Sequence, residues 1–387
     1  MIDRFEDDFA DYSEDASISA EQISNILSGS TDWTTDTIVR QIEKGNIDLS
    51  PMFQRRDAWN IGRKSLFIES LALGFPIPQI VLAQQKSGKF IVLDGKQRLL
   101  TLMQFFGKND YTPFKLKNMT ILKELNGKDY DNLADNDSTS NYLTKIENAT
   151  IRTVVIKNWE DDSVLYQIFL RLNTTSVPLS PQELRGALFP GKFVDYINQE
   201  AASNKFLQSL FKGERDFRMR DSELLIRYIA YKHFHSLYTG NLKKFLDITC
   251  KTFNDNWDNQ EKIIENDFFL FKDACKILQD IFGDNIFCKF SPEKLQYERS
   301  VNRAVFDIMV FYFSIPQIAS AASNYYTQIE NKFRELCTNN IEFITAISST
   351  TKSLSANAVR FRCWGSVLKN ILNIPIEIPE FKNNEVR

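Results

Sequence analysis

The segment Asp94-Gly95-Lys96-Gln97-Arg98 places one acid, one glycine, one amide and two cations side by side. The carboxylate of Asp94 could hold Mg²⁺ or orient a water molecule, and the two cations could bind phosphate oxygens. Gly95 would let the backbone approach a phosphate closely. The segment therefore predicts a phosphate site formed by its last four residues. Asp94 and Arg98 are the candidate catalytic residues, and Asp94 is the candidate Mg²⁺ ligand.

The flanking residues predict how this segment is positioned. The apolar run at 91–93 indicates a buried strand, and Leu99, Leu102, Met103 and Phe106 recur at the spacing of one helix face. The segment would then be a strand-to-helix turn, where unpaired N–H groups and the helix dipole attract anions. Many such turns bind nothing, so a purely structural turn stays the alternative.

A second cluster, Phe53-Gln54-Arg55-Arg56, precedes Trp59. In a strand the two arginines would point to opposite sides. Gln54 and Arg55 beside an aromatic ring would suit a phosphate, a base edge or both. The alternative, which we weigh equally, is that the rings are core and the arginines form salt bridges. A third basic stretch, residues 215–221, has three arginines and two aspartates, and there we expect a local ion-pair network first and nucleic-acid contact second.

The turn segment resembles the DGQQR motif of the N-terminal domain of GmrSD-type restriction proteins, with Lys96 where the first Gln usually stands. Further segments resemble that domain's other motifs, in the same order along residues 30–190. These segments are residues 49–59, 64–71, 74–78, 169–175 and 179–185. The resemblance implies a ParB/sulfiredoxin-like fold and a motif that binds and hydrolyses nucleoside triphosphates with Mg²⁺.

The resemblance also implies roles for residues outside the turn. Arg171 and Asn173 would complete the nucleotide site. The residues expected to recognise DNA or its modification are Phe53, Gln54, Arg55 and Trp59. Phe53 stands where the family more often has Tyr, which removes a hydroxyl donor and leaves the recognised mark open.

Length and pattern predict the domain organisation. The chain of 387 residues is long enough for two or three domains. We expect an α+β protein with an acidic tail at 1–30, a ParB-like domain at 31–190 and an all-α domain at 191–387. Within the second segment we predict a hairpin from residues 79–84 and 89–93, and a capping box at Ser180-Pro181-Gln182-Glu183.

Composition excludes several classes of protein. The net charge of −3 does not suit a protein coated for nonspecific DNA binding, although a local basic groove remains compatible with it. No apolar run is long enough for a membrane span, and the acidic N-terminus is unlike a secretory signal. The five scattered cysteines indicate neither a disulfide framework nor a zinc site. We therefore expect a cytoplasmic protein.

Only two histidines occur, His233 and His235, and their context is unlike an HNH nuclease motif. We expect them to be structural, and we expect this chain to lack the HNH nuclease that many relatives carry. Cleavage of DNA would then require a separate nuclease or effector partner.

Three functions remain open. The first is a nucleoside triphosphatase that senses foreign or modified DNA in a restriction-type system. The second is a module that binds a nucleotide or DNA without hydrolysis and recruits an effector. The third is a ParB-like nickase, which we rank last because two-metal cleavage needs several carboxylates. The sequence leaves the nucleotide, the DNA mark and the oligomeric state undetermined.

Overall fold

The computed structural model describes residues 26–49, 59–108, 111–159, 162–172, 180–211, 216, 219–349 and 351–381, with backbone alone for Ser163 and Leu170. These residues form two compact units, and the chain passes from the first to the second between Leu188 and Phe189. The first unit is mixed α and β, and the second is mainly helical.

The first unit contains a four-stranded sheet in the order β1-β4-β2-β3. The outer pairs β1–β4 and β2–β3 are antiparallel, and the central pair β4–β2 is parallel. The predicted hairpin is thereby confirmed as β2–β3. The first strand begins four residues before the expected boundary at 31. The strands are β1 (Leu27–Thr34), β2 (Ile80–Gln84), β3 (Phe90–Asp94) and β4 (Thr150–Lys157).

Seven α-helices occur among the described residues of this unit, and local signals in the sequence set several of their ends. The side chain of Asn60 caps α2 by accepting a hydrogen bond from the Arg63 N–H at 3.0 Å, and Gly74 ends that helix with φ of 69°. The helices are α1 (Thr35–Glu43), α2 (Ile61–Leu73), α3 (Lys96–Phe105), α4 (Tyr130–Ala134), α5 (Asp137–Asn148), α6 (Asp162–Leu172) and α7 (Pro181–Leu188).

The core of this unit positions the turn after β3. Leu82 and Val92 on one face of the sheet join Leu99 and Met103 of α3 in a single buried cluster. Side chains alternate along a strand, so Leu93 faces the opposite side, and α6 and α7 contact β3. The turn at 94–98 therefore leaves a strand that is buried on both faces.

The second unit contains ten α-helices among its described residues and one two-stranded hairpin, β5–β6. Its elements are α8 (Lys192–Ser203), α9 (Lys205–Leu210), α10 (Arg220–Phe234), α11 (Leu242–Asp255), α12 (Trp257–Phe282), β5 (Cys288–Ser291), β6 (Gln296–Val301), α13 (Arg303–Phe313), α14 (Pro316–Ala322), α15 (Tyr326–Asn339), α16 (Ile341–Ser348) and α17 (Leu354–Leu372).

The hairpin corrects the prediction that this region is all-α. Its strands have four and six residues, too few for an alternating pattern to stand out among aromatic-rich helices. Long-range packing stabilises it: Phe290 and Tyr297 meet edge to face at 5.4 Å, and the Arg334 guanidinium of α15 lies 5.6 and 5.3 Å from their ring centres.

Buried ion pairs cross the second unit. Asp307 of α13 accepts hydrogen bonds from Arg227 Nε at 2.9 Å and Nη2 at 2.6 Å, and from Arg360 Nη2 at 3.1 Å. The local pair expected within 215–221 is also present, because Arg220 Nη2 lies 3.0 Å from Asp216 Oδ1. Arg215 and Arg218 of that stretch lie outside the described residues.

The two histidines sit in different surroundings. The Nε2 atom of His233 lies 2.6 Å from Asp267 Oδ2, and His235 packs edge to face on Phe311 and Phe381. Among the described helices, no single one has the length and apolar composition to cross a membrane. By those criteria alone the bent pair α13 and α14 passes, with a 94° break between its helices.

Candidate functional site at the turn after strand β3

Gly95 forms the turn between β3 and α3. Its φ of +99° lies in the left-handed region, where glycine is favoured. A Cβ atom there would stand 2.9 Å from Ile80 Cγ1 and 3.3 Å from Arg98 Nη2. The first hydrogen bond of α3 runs from the Leu99 N–H to the Gly95 carbonyl at 3.0 Å. The turn thus needs glycine both for its conformation and for its close packing.

Arg98 is held against the end of β3. Its Nη1 donates to the Pro78 carbonyl at 2.9 Å, and its Nη2 donates to Asp94 Oδ2 at 3.0 Å. The side chain of Arg98 is 10% exposed and that of Asp94 is 25% exposed. Among the described residues, Asp94 Oδ1 and Arg98 Nε have no hydrogen-bond partner. The pair therefore retains one carboxylate oxygen and one N–H group for a ligand.

Lys96 points inward to Glu183 at the start of α7. The Lys96 Nζ atom pairs with Glu183 Oε1, and the side chains are only 5% and 6% exposed. The predicted capping box is confirmed: Glu183 Oε2 accepts from the Ser180 N–H at 2.7 Å, and Ser180 Oγ accepts from the Glu183 N–H at 3.0 Å. Lys96 is therefore engaged with a buried carboxylate and is not exposed at the turn.

Gln97 connects the turn to Trp59. Its Oε1 accepts a hydrogen bond from the Trp59 N–H at 3.3 Å. The Trp59 ring meets Phe67 edge to face at 6.0 Å, and the Arg63 guanidinium lies 5.1 Å from the ring centre. Trp59 therefore joins the turn to α2. The other predicted DNA-recognition residues, at 53–55, lie outside the described residues.

The remaining predicted site residues are Arg171 and Asn173. Arg171 is exposed in the last turn of α6, which contacts β3, and Asn173 lies outside the described residues. Sequence reasoning missed two groups, the Pro78 carbonyl that holds Arg98 and the carboxylate of Glu183. An acidic partner for Lys96 could have been predicted, because a lysine that faces an apolar core needs a negative charge beside it.

The donor set at the turn is compatible with a nucleotide-bound Mg²⁺. Magnesium commonly takes one or two carboxylates and completes its shell with water and substrate phosphates. Asp94 Oδ1 would supply one such ligand. The described residues contain no group of three or more acidic, histidine or cysteine side chains that could hold a metal without a substrate.

Comparison with known families matches residues 36–190 to the GmrSD restriction endonuclease N-terminal domain. The matched region includes the turn, Glu183 and every predicted site residue described above. No curated protein and no solved structure matches the chain.

Proposed function

We propose that this protein acts in restriction-type phage defence, because residues 36–190 match the N-terminal domain of the GmrSD restriction endonucleases. In the proposal, the turn at 94–98 binds a nucleoside triphosphate with Mg²⁺ and hydrolyses it in response to DNA. The ParB/sulfiredoxin-like fold implied by the resemblance belongs to the same proposal. The observation that carries it is the Gly95 turn, which presents an accessible carboxylate beside a buried arginine at the start of a helix.

Each group at the turn has a part in this proposal. Asp94 Oδ1 would hold Mg²⁺, and the ion would neutralise charge that develops on the phosphates. Arg98 orients Asp94 through Nη2 at 3.0 Å, and its Nε would reach a phosphate oxygen. The N–H groups of Gln97 and Arg98 precede the first hydrogen bond of α3, so they would donate to the same anion. Arg171, in the last turn of α6, and Asn173 would bind the nucleotide.

One observation favours the second candidate function, nucleotide binding without hydrolysis. Lys96 replaces a neutral glutamine of the motif, and its charge is buried against Glu183. Because Lys96 is paired with Glu183 in the core, the turn has one fewer cation available to stabilise the transition state of hydrolysis. In this version the bound nucleotide would control recruitment of an effector.

Cleavage of DNA is assigned to a partner in either version. A separate nuclease or effector protein would act once the N-terminal unit has sensed DNA. Recognition of the DNA mark would fall to Phe53, Gln54, Arg55 and Trp59, of which Trp59 contacts the turn through Gln97.

The test is phosphate release from ATP, GTP, CTP and UTP in turn, with Mg²⁺, with and without duplex DNA. We expect Asp94→Asn to lower release at least 100-fold. The matched control is Asp131→Asn, which changes an exposed aspartate in α4 of the same unit and should leave release unchanged.

The shift in thermal midpoint on adding each nucleotide separates the hydrolysis version of the proposal from the binding version. Release that Asp94→Asn abolishes would support hydrolysis. Stabilisation by a nucleotide with no release would support the binding version. Neither release nor stabilisation with any of the four nucleotides would refute the nucleotide site.

A further inference from the structure

A basic groove lies beside the start of α2. We call it the α2 groove; it has a volume of about 650 Å³. Its lining residues are Ile61, Asn126, Gly127 and residues 113–118. Ile61 and Phe114 provide an apolar wall, and Lys115 and Lys117 are exposed beside it. Within the described part of the chain, neither lysine forms an ion pair with a carboxylate.

The loop that carries these lysines, residues 111–128, is anchored by the buried Glu69 of α2. Its carboxylate accepts hydrogen bonds from the N–H groups of Thr120, Ile121 and Leu122 at 3.1, 2.8 and 2.7 Å, and from the Thr120 hydroxyl at 2.7 Å. Burial raises the pKa of Glu69, but these hydrogen bonds together outweigh burial and leave its pKa below the usual value. Glu69 therefore stays ionised and holds the loop at neutral pH.

Further hydrogen bonds fix the lysine-bearing segment itself. The Lys117 N–H donates to Ser65 Oγ of α2 at 2.9 Å. The Leu116 N–H donates to the Lys128 carbonyl, and the Gly127 N–H donates back to Leu116, both at 2.8 Å. The loop contains a single 3-10 turn, at Lys123–Leu125, and a connection of this length is uncommon in a compact domain. This loop is pre-organised, so binding there would cost little ordering entropy.

A cation of α2 contacts an aromatic ring in the wall of the groove. Lys64 of α2 is buried, and its Nζ atom lies 5.8 Å from the ring centre of Phe114. Residues 111–128 carry four lysines and one glutamate, in a chain whose net charge is −3. The positive charge is confined to this loop, because residues 129–137 carry four aspartates. A local group of lysines of this kind suits contact with phosphates.

We propose that the α2 groove binds the phosphate backbone of duplex DNA, with Lys115 and Lys117 at phosphates. The inference rests on the proposed function in one respect, that DNA is what the protein senses. The inference assigns part of the affinity for DNA to the α2 groove, which does not contain the proposed recognition residues 53–55. Phosphate contacts of this kind position a protein on DNA without reading its sequence.

The experiment measures the affinity of the full chain for a fluorescein-labelled 24-base-pair duplex by anisotropy, between 50 and 200 mM NaCl. Each phosphate contact contributes about 0.9 to the slope of log K against log salt. Lys115→Ala/Lys117→Ala should therefore reduce the slope by about 1.8 and weaken binding about 10-fold at 50 mM salt. The matched control is Lys86→Ala/Lys89→Ala, which removes two exposed lysines from the β2–β3 loop of the same unit.

The outcomes separate this inference from the proposed function. Loss in the first double variant, with the control unchanged, supports the α2 groove. Equal binding and equal slope in both variants, with the wild type binding DNA, overturns the groove and leaves DNA sensing intact. A wild type that binds no duplex overturns both. Tighter, groove-dependent binding of a single-stranded RNA of the same length would overturn duplex DNA as the ligand. Thermal melting of each variant checks that the fold is unchanged.

Discussion

The buried pair between Lys96 and Glu183 gives the sharpest prediction about the stability of the site. Both side chains are almost fully buried. Removing one member of such a pair leaves an uncompensated charge in a low-dielectric interior, which costs about 3–5 kcal/mol. Lys96→Gln, which restores the residue usual in the motif, should therefore destabilise the first unit rather than improve it. Glu183→Gln should do the same.

The double variant Lys96→Gln/Glu183→Gln removes both charges and leaves two amides that can hydrogen-bond. It should be more stable than the sum of the single changes implies, with a coupling free energy of about 2–3 kcal/mol. The exposed pair Arg152–Asp32, with an N–O distance of 3.4 Å, is the matched control. The same cycle there, with Arg152→Gln and Asp32→Asn, should give a coupling of about 0–1 kcal/mol.

The assay must report on the first unit alone, because the described tryptophans lie in both units and fluorescence would combine two transitions. Amide hydrogen exchange followed by mass spectrometry localises the effect to peptides of α3 and α7. A loss of 3 kcal/mol corresponds to more than 100-fold faster exchange where exchange requires opening of the unit. Wild-type protection in Lys96→Gln, or a double variant no better than the sum of the single changes, would refute the coupling.

Two further predictions concern the turn and the basic loop. Gly95→Ala should destabilise the first unit by about 1–3 kcal/mol in urea unfolding, because it adds a clash with Ile80 to the strain of a positive φ. Gly88 also has a positive φ, but a Cβ atom there would have no neighbouring atom within 4 Å, so Gly88→Ala should destabilise the unit less. Glu69→Gln should flatten the pH dependence of thermal stability. Because the pKa of Glu69 is lowered in the folded protein, its ionised carboxylate stabilises the fold at pH values above the ordinary glutamate pKa. That stabilisation is lost as the pH falls through the folded-state pKa. A thermal midpoint that falls equally in both proteins between pH 6 and pH 3 would show that Glu69 is not the titrating group.

The features that sequence predicted well depend on residues close together in the chain. The capping box at Ser180 begins α7, because it needs only its own turn of backbone. The β2–β3 hairpin likewise follows from two apolar runs and a glycine turn between them. These signals act over a few residues, so no knowledge of the tertiary fold is required.

The features that sequence missed depend on residues far apart. Lys96 and Glu183 are separated by 87 positions, and Arg227 and Asp307 by 80. A lysine's charge is visible in the sequence, but whether it faces a ligand or a buried carboxylate depends on which helix packs against it. The sequence therefore predicts Lys96 as a phosphate ligand from its charge, and the structure adds its buried pairing with Glu183.

The same pair connects the turn to the end of the first unit. Glu183 uses one carboxylate oxygen for Lys96 and the other for the Ser180 N–H. A nucleotide that drew Lys96 toward its phosphates would leave Glu183 buried with only its capping bond, so the start of α7 would lose stability. In a DGQQR turn a neutral glutamine at this position requires no such counter-charge. We therefore expect the replacement by Lys96 to change how the turn is coupled to α7 more than how tightly it binds phosphate. If it does, nucleotide should raise hydrogen exchange in α7 while protecting α3.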